Sequence, residues 1–201
     1  MILIGRYVSP FVRRVAVSLK TLGIAYEHRP LSTIDNRAEV QAVNPLGRVP
    51  ALILDDGEVL VDSNPILDYL DELAGPERAL VPPSGAERRR VLQLVAFGLG
   101  VADKAVACFI ERKLRPADKQ HQAMLERYAE QAVAGLRHLE DLCADGWLAG
   151  PRLTQADITA VAVLDFIAVT WPEMLPADGF PRLRGLCRRA NALPAFAETH
   201  P

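Results

Sequence analysis

The stretch Tyr7-Val8-Ser9-Pro10-Phe11-Val12-Arg13-Arg14 decides how the chain is to be read. Before it stands Ile2-Leu3-Ile4, a brief apolar run of strand character. From Phe11 onward, Val15, Leu19 and Leu22 recur at the spacing of one helix face. Proline is well tolerated at the first helical position, where its missing N–H would find no partner anyway. Pro10 therefore opens the helix and Ser9 falls at its N-cap, a place serine favours. Taken alone, Ser9 is a cap. The same place also gathers a hydroxyl and free N–H groups at the positive end of a helix, which suits an anion such as a thiolate.

Working outward, Gly23 sits where this helix should stop, and Tyr26-Glu27-His28-Arg29 alternates as an extended segment. A short helix over Arg37 to Val43 is closed by Asn44-Pro45. Ala51-Leu52-Ile53-Leu54 and Glu58-Val59-Leu60-Val61 flank Asp55-Asp56-Gly57, a hairpin signal. Asp62-Ser63-Asn64-Pro65 then opens a helix carrying Ile66, Leu67, Tyr69, Leu70 and Leu73. The order over residues 1–75 is βαβαββα, a compact α/β unit. Residues 76–85 read as a linker rich in Pro and Gly, and residues 86–201 as all-helical. Val91, Val95, Leu99, Ala102, Val106 and Phe109 make one apolar stripe, and Leu125, Tyr128, Ala132, Leu136, Leu139 and Leu142 another. Pro116 separates these two long helices, which predicts an antiparallel hairpin. The helix from Gln155 to about Val169 is apolar nearly all round and is expected at the buried centre. Trp171-Pro172 marks its end, and Phe180-Pro181 introduces the last helices.

Two further segments carry candidate chemistry. Asn44-Pro45-Leu46-Gly47-Arg48-Val49-Pro50 leads straight into a strand, and the Val49–Pro50 bond is a candidate cis peptide. A cis proline there would present the N–H and C=O of Val49 to an extended peptide ligand. By itself the segment reads as an ordinary turn before the hairpin. Asp62-Ser63, at the start of the third helix, is by itself a cap; its free N–H groups and the Ser63 hydroxyl also suit a carboxylate.

Bulk properties narrow the function. The 201 residues make one large domain or two small ones, and with half of them hydrophobic a substantial core is expected. A formal charge of −2, from 23 basic and 25 acidic residues, makes no electrostatic case for nucleic acid or an anionic membrane. The runs Arg88-Arg89-Arg90 and Arg188-Arg189 read as solvated helix faces. No signal peptide is visible, and no uninterrupted apolar stretch approaches the roughly 20 residues of a membrane span. Cys108, Cys143 and Cys187 form no CxxC pair, so neither a disulfide framework nor a metal site is suggested, and a reducing cytoplasm is expected. His28, His121, His138 and His200 show no ligand spacing and are expected on the surface.

Each of the three segments is weak alone, but together and in order inside one βαβαββα unit they resemble the soluble glutathione transferases. The likeness is to bacterial members with a serine at the catalytic position, carried by Ser9-Pro10 with Arg13, by Asn44 to Pro50 and by Asp62-Ser63. It extends into the helical half, where Thr154-Gln155-Ala156-Asp157 matches the family's N-capping box. The resemblance implies a thioredoxin-like glutathione-binding domain followed by a helical bundle. It implies glutathione as co-substrate without a metal, a hydrophobic electrophile as second substrate and a homodimer. By the same token Ser9 would hold the glutathione sulfur as thiolate, and Val49 would pair with the cysteinyl part beside a cis Pro50. Asp62 and Ser63 would receive the γ-glutamyl end, and Arg48 or Arg37 the glycyl carboxylate. Tyr7, Phe11, Ala105 and Cys108 would line the electrophile pocket. Tyr7 lies near the place of the catalytic residue in tyrosine-type members, but Ser9 directly precedes Pro10 and ranks first. For Cys108 the role of a small buried hydrophobe ranks ahead of lining that pocket. The alternatives within the fold are a non-catalytic glutathione-binding or protein-interaction member, and a glutathione-dependent isomerase or dehalogenase.

Overall fold

The computed structural model describes all 201 residues, Met1–Pro201. The chain divides into two compact units, Met1–Gly85 with Asn191–Pro201, and Ala86–Ala190.

The first unit is a thioredoxin-like α/β layer. Its elements are β1 (Ile2–Ile4), α1 (Pro10–Leu22), β2 (Glu27–Arg29), α2 (Arg37–Val43), β3 (Ala51–Ile53), β4 (Val59–Val61) and α3 (Ser63–Ala74), in the expected βαβαββα order. The sheet runs β2-β1-β3-β4, with β1 and β2 parallel and the β1–β3 and β3–β4 pairs antiparallel. Ile2 faces Glu27 on one side and Ile53 on the other, so β1 is central. Leu54 and Glu58 fall just outside the ladder, where the Leu54 N–H donates to the Glu58 carbonyl at 2.8 Å across the turn. Helix α1 packs against α3, and its Val12, Val15 and Leu19 are fully buried with Leu3, Leu52, Ile66 and Leu70. It ends at Gly23 in the left-handed region at φ 71°, a conformation glycine adopts without penalty.

The sequence reading groups the tail with the helical half, and here the structure differs. A one-turn helix α8 (Pro194–Ala197) packs on α1 and buries Phe196, so Asn191–Pro201 belongs to the first unit. The reason is polar as well as apolar, because the Arg13 guanidinium inside α1 takes its acceptors from this tail.

The second unit is helical throughout. It comprises α4 (Gly85–Phe109), α5 (Gln122–Leu142), α6 (Gln155–Thr170) and α7 (Pro181–Asn191), with a π-turn at Ile110–Leu114. Phe97 meets His138, a Cβ on Gly135 would meet Val101, and Cys108 Sγ approaches the Leu125 carbonyl at 3.9 Å. Partners whose numbers rise on one helix and fall on the other make α4 and α5 antiparallel, as Pro116 implies. Gly85–Leu114 has the length and mean hydropathy, 1.6, of a membrane span, yet these contacts are those of a core helix. Every residue of α6 from Gln155 to Ile167 is buried. Its start is fixed by Asp157, whose carboxylate accepts from the Thr154 N–H and hydroxyl, both at 2.9 Å, and from the Leu148 N–H at 2.7 Å. This is the expected capping box, with a loop pinned to it as well.

Candidate functional site

A cleft opens in the first unit, lined by Phe11, Asn44, Arg48, Val49, Pro50, Asp62 and Ser63 among others. Three segments distant in sequence meet here: the first turn of α1, the loop after α2, and the junction of β4 with the start of α3. Gly5 permits the meeting. At φ +126° and with a hypothetical Cβ only 2.5 Å from Val12 Cγ2 and 2.9 Å from Val49 Cβ, it admits no side chain.

The middle of the cleft is backbone. The Val49–Pro50 peptide is cis. The Val49 N–H and C=O take no hydrogen bond from the rest of the chain, so both remain for an extended ligand. Buried Asn44 shapes the loop that leads there, donating from Nδ2 to the Arg48 carbonyl at 2.9 Å and accepting the Leu46 N–H at 3.1 Å.

One end of the cleft gathers hydrogen-bond donors and a buried cation. Ser63 is buried at the first turn of α3, and its Oγ accepts from Arg14 Nη1 at 3.0 Å. With its lone pair engaged, the Ser63 hydroxyl has its own proton left to donate outward. Arg14 also donates to Asn64 Oδ1 at 2.9 Å, and the Asp62 carboxylate caps the helix by accepting the Asn64 N–H at 2.9 Å. Burial pulls the Arg14 guanidinium down to about 9, against the opposing pull of the Asp62 charge, so it remains a cation at neutral pH. Asp62 holds φ at 69°, an unusual backbone for a non-glycine residue, which turns the chain from β4 into α3.

Ser9 stands at the N-cap of α1 in extended conformation, half-buried, with its Oγ accepting the Val12 N–H at 3.4 Å. That contact is long, and it uses an acceptor lone pair; the hydroxyl proton is left to donate.

Comparison with known proteins gives the same reading. Residues 3–78 match the glutathione S-transferase N-terminal domain and residues 122–189 its C-terminal domain. Over its whole length the chain is 32% identical to the uncharacterised GST-like protein YibF of Escherichia coli K12, covering 98% of that protein. The chain belongs to the glutathione S-transferase family. It is also 33% identical, over 98% of its length and 92% of the relative's, to the maleylacetoacetate isomerase of Pseudomonas aeruginosa. A glutathione S-transferase of Methylobacterium radiotolerans, solved with glutathione sulfonate, superposes with a TM-score of 0.92 at 30% identity, covering 100% of this chain and 94% of that one. The protein is thus an enzyme of this superfamily, with a thioredoxin-like unit and a helical bundle.

Within this transferase the other candidate residues fall as follows. Tyr7 shares a 2.8 Å hydrogen bond with the Tyr26 hydroxyl and stacks on His28, ring centroids 3.9 Å apart. Burial and that bond push the Tyr26 hydroxyl well above the usual phenol range. Phe11 lines the cleft, and Arg48 stands exposed at its edge. Ala105 and Cys108 lie on the buried face of α4 in the helical unit, and burial pushes the Cys108 thiol up to about 11. No group of three or more His, Cys, Asp or Glu side chains is placed to hold a metal ion.

Two expectations need correction. His28 is not a surface residue: it is half-buried in β2, with Nε2 2.7 Å from the Gly5 carbonyl and its ring against Tyr7. The buried face of α4 is Val91, Leu94, Val95, Gly98, Val101, Ala102, Ala105 and Cys108, while Leu99, Val106 and Phe109 are only half-buried. A Cβ at Gly98 would stand 2.9 Å from Thr159 Cγ2, so this face is turned inward by close approach rather than by side-chain bulk. The sequence does not single out Arg14 or Asn44 as site residues. The available signal for Arg14 was its place in an apolar helix, since a charge there must be paired.

Proposed function

We propose that the enzyme conjugates the glutathione thiolate to a hydrophobic electrophile, with Ser9 donating a hydrogen bond to the sulfur. The observation that carries this reading is the cleft itself, where an unpaired Val49 backbone meets Ser63, held by Arg14, while Ser9 caps the helix whose Phe11 lines the same cleft. An extended tripeptide with a carboxylate at one end and a thiol in its middle has the complementary groups. Its cysteinyl part would pair with Val49 beside Pro50, and its γ-glutamyl carboxylate would meet Ser63, the α3 N-terminus and the charge of Arg14, with Asp62 facing the ammonium. Arg48, at the cleft edge, suits the glycyl carboxylate better than Arg37. The bond between Tyr7 and Tyr26 favours Ser9 over Tyr7 as the sulfur's partner, and so favours the bacterial serine-type assignment.

A free thiol titrates near ~8.5, so stabilising the anion raises the reactive fraction at neutral pH. Rate would then come from holding the thiolate beside the electrophile and from electrostatic stabilisation of the sulfur. The test is thiol conjugation with wild type and Ser9→Ala. Turnover at neutral pH should fall at least about tenfold in the variant with glutathione binding kept; equal turnover would remove Ser9 from the mechanism.

The likeness to a maleylacetoacetate isomerase favours one second reading. There the thiolate adds to a cis double bond, the adduct rotates, and elimination returns free glutathione with the trans product. Substrate conversion without net loss of thiol separates this chemistry from conjugation. We further infer a homodimer, supported by the exposed apolar residues Leu46, Val59 and Val61 on the first unit, and a reducing cytoplasmic setting, supported by three free cysteines.

A further inference from the structure

Helix α1 carries two buried arginines side by side, and they serve different places. Arg14 serves the cleft. Arg13 turns into the C-terminal segment, where Nε donates to the Thr199 carbonyl at 3.1 Å and Nη2 to Asn191 Oδ1 at 3.0 Å and the Phe196 carbonyl at 3.4 Å. Its own backbone N–H donates to the Ser9 carbonyl at 2.9 Å. One residue thereby fastens the turn that carries Ser9 to the segment Asn191–Thr199.

An apolar side chain would fill the same space without desolvating a charge, and burying an ion is costly even when it is paired. What a guanidinium adds is direction: a rigid planar fork that fixes the relative position of its acceptors. A second contact between the same parts is independent of the first. Lys20, in the last turn of α1, pairs with Glu198 at 2.5 Å. The tail is therefore tied to α1 at both its ends, to the first turns through Arg13 and to the last through Lys20.

We propose that Arg13 is a positioning residue: it registers the first turn of α1, and with it the Ser9 hydroxyl, against Asn191–Thr199, and so sets how strongly bound glutathione is held as thiolate. This rests on the role proposed above for Ser9. The Ser9 hydroxyl is only loosely capped, at 3.4 Å from the Val12 N–H, so its aim depends on where the turn sits. Small displacements of a group acting on the reacting atom cost rate steeply.

The test is an ultraviolet titration of the thiolate of bound glutathione, with kcat and KM, on wild type, Ser9→Ala, Arg13→Lys and Asn191→Ala. Arg13→Lys keeps the charge and loses the fork. It should raise the thiol's apparent pKa by about one unit and lower kcat at neutral pH by about tenfold, with the KM for glutathione changed less than about twofold. Asn191→Ala, which removes one acceptor, should shift both in the same direction by less. An Arg13→Lys enzyme that melts lower but titrates like wild type would make Arg13 merely structural and overturn the proposal. If that variant does not fold, an unshifted titration in Asn191→Ala overturns it. An unshifted titration in Ser9→Ala would remove the role of Ser9, and that of Arg13 with it. A shift in Ser9→Ala without one in the other two variants would remove Arg13 alone.

Discussion

At the residue scale the proposed reading gives the cleft a carboxylate end and a sulfur end, with a separate arginine behind each. Behind the carboxylate end is Arg14, shared between Ser63 and Asn64. Replacing it by methionine removes the cation and leaves the Ser63 Oγ without its donor. Glutathione should then bind about 1.5–3 kcal/mol more weakly, the scale of a charge-assisted hydrogen bond. Cysteinylglycine, which lacks the γ-glutamyl carboxylate, should bind both forms alike in the same calorimeter. At the sulfur end the prediction is one of pH. The thiolate is the reactive form, so kcat/KM rises through the thiol pKa. In Ser9→Ala that pKa moves up toward the free value of ~8.5. The variant's deficit should be large near pH 6.5 and shrink by pH 9; a deficit constant with pH would speak against thiolate stabilisation. Ser9, Val49 and Ser63 were legible as candidates because their segments carry proline and cap signals at the joints between elements. Arg14 and Asn44 were not, because their importance lies in what they touch: Asn44 reaches Arg48 only once the loop has closed, and Arg14 reaches Ser63 across 49 positions of chain.

At the scale of elements, two close approaches govern. Gly5 lets the end of β1, α1 and the Val49 loop converge. Gly5→Ala should lose about 2 kcal/mol of stability, seen in denaturant unfolding, and should also weaken glutathione binding because Val49 must give way. The α6 start rests on Asp157, where one carboxylate satisfies the Leu148 and Thr154 N–H groups. Asp157→Ala should cost about 3 kcal/mol, lowering Tm by roughly 6–12 °C, while the bound-thiol titration stays where it is. The order of strands and helices, the hairpin and the capping box were all written in local signals that their surroundings did not override. The face of α4 was not, since apolar counting has no weight for Gly98, which is inside because Thr159 comes close. Likewise Leu142 is exposed and the neighbouring Cys143 takes the buried place at the end of α5.

For the whole molecule, the division into an α/β unit and a helical unit follows from the change of periodicity after the linker. The return of the tail to the first unit had no local signal. The sequence of Pro194–Ala197 is that of any short helix, and what draws it back is the burial of Phe196 together with the acceptors it offers Arg13. Light scattering should give twice the 22.0 kDa of the chain. A charged substitution at Leu46, which stands 74% exposed, should shift the protein toward monomer without lowering its melting temperature by more than a few degrees.

The central claim is that this cleft binds glutathione through Val49 and Ser63. Calorimetric titration of glutathione into wild type and Ser63→Ala tests it most directly. Saturable binding by wild type, weakened about tenfold to a hundredfold in Ser63→Ala, is the result expected for loss of a hydrogen bond to a carboxylate. No binding by the wild-type protein, or equal binding by the variant, would contradict the account.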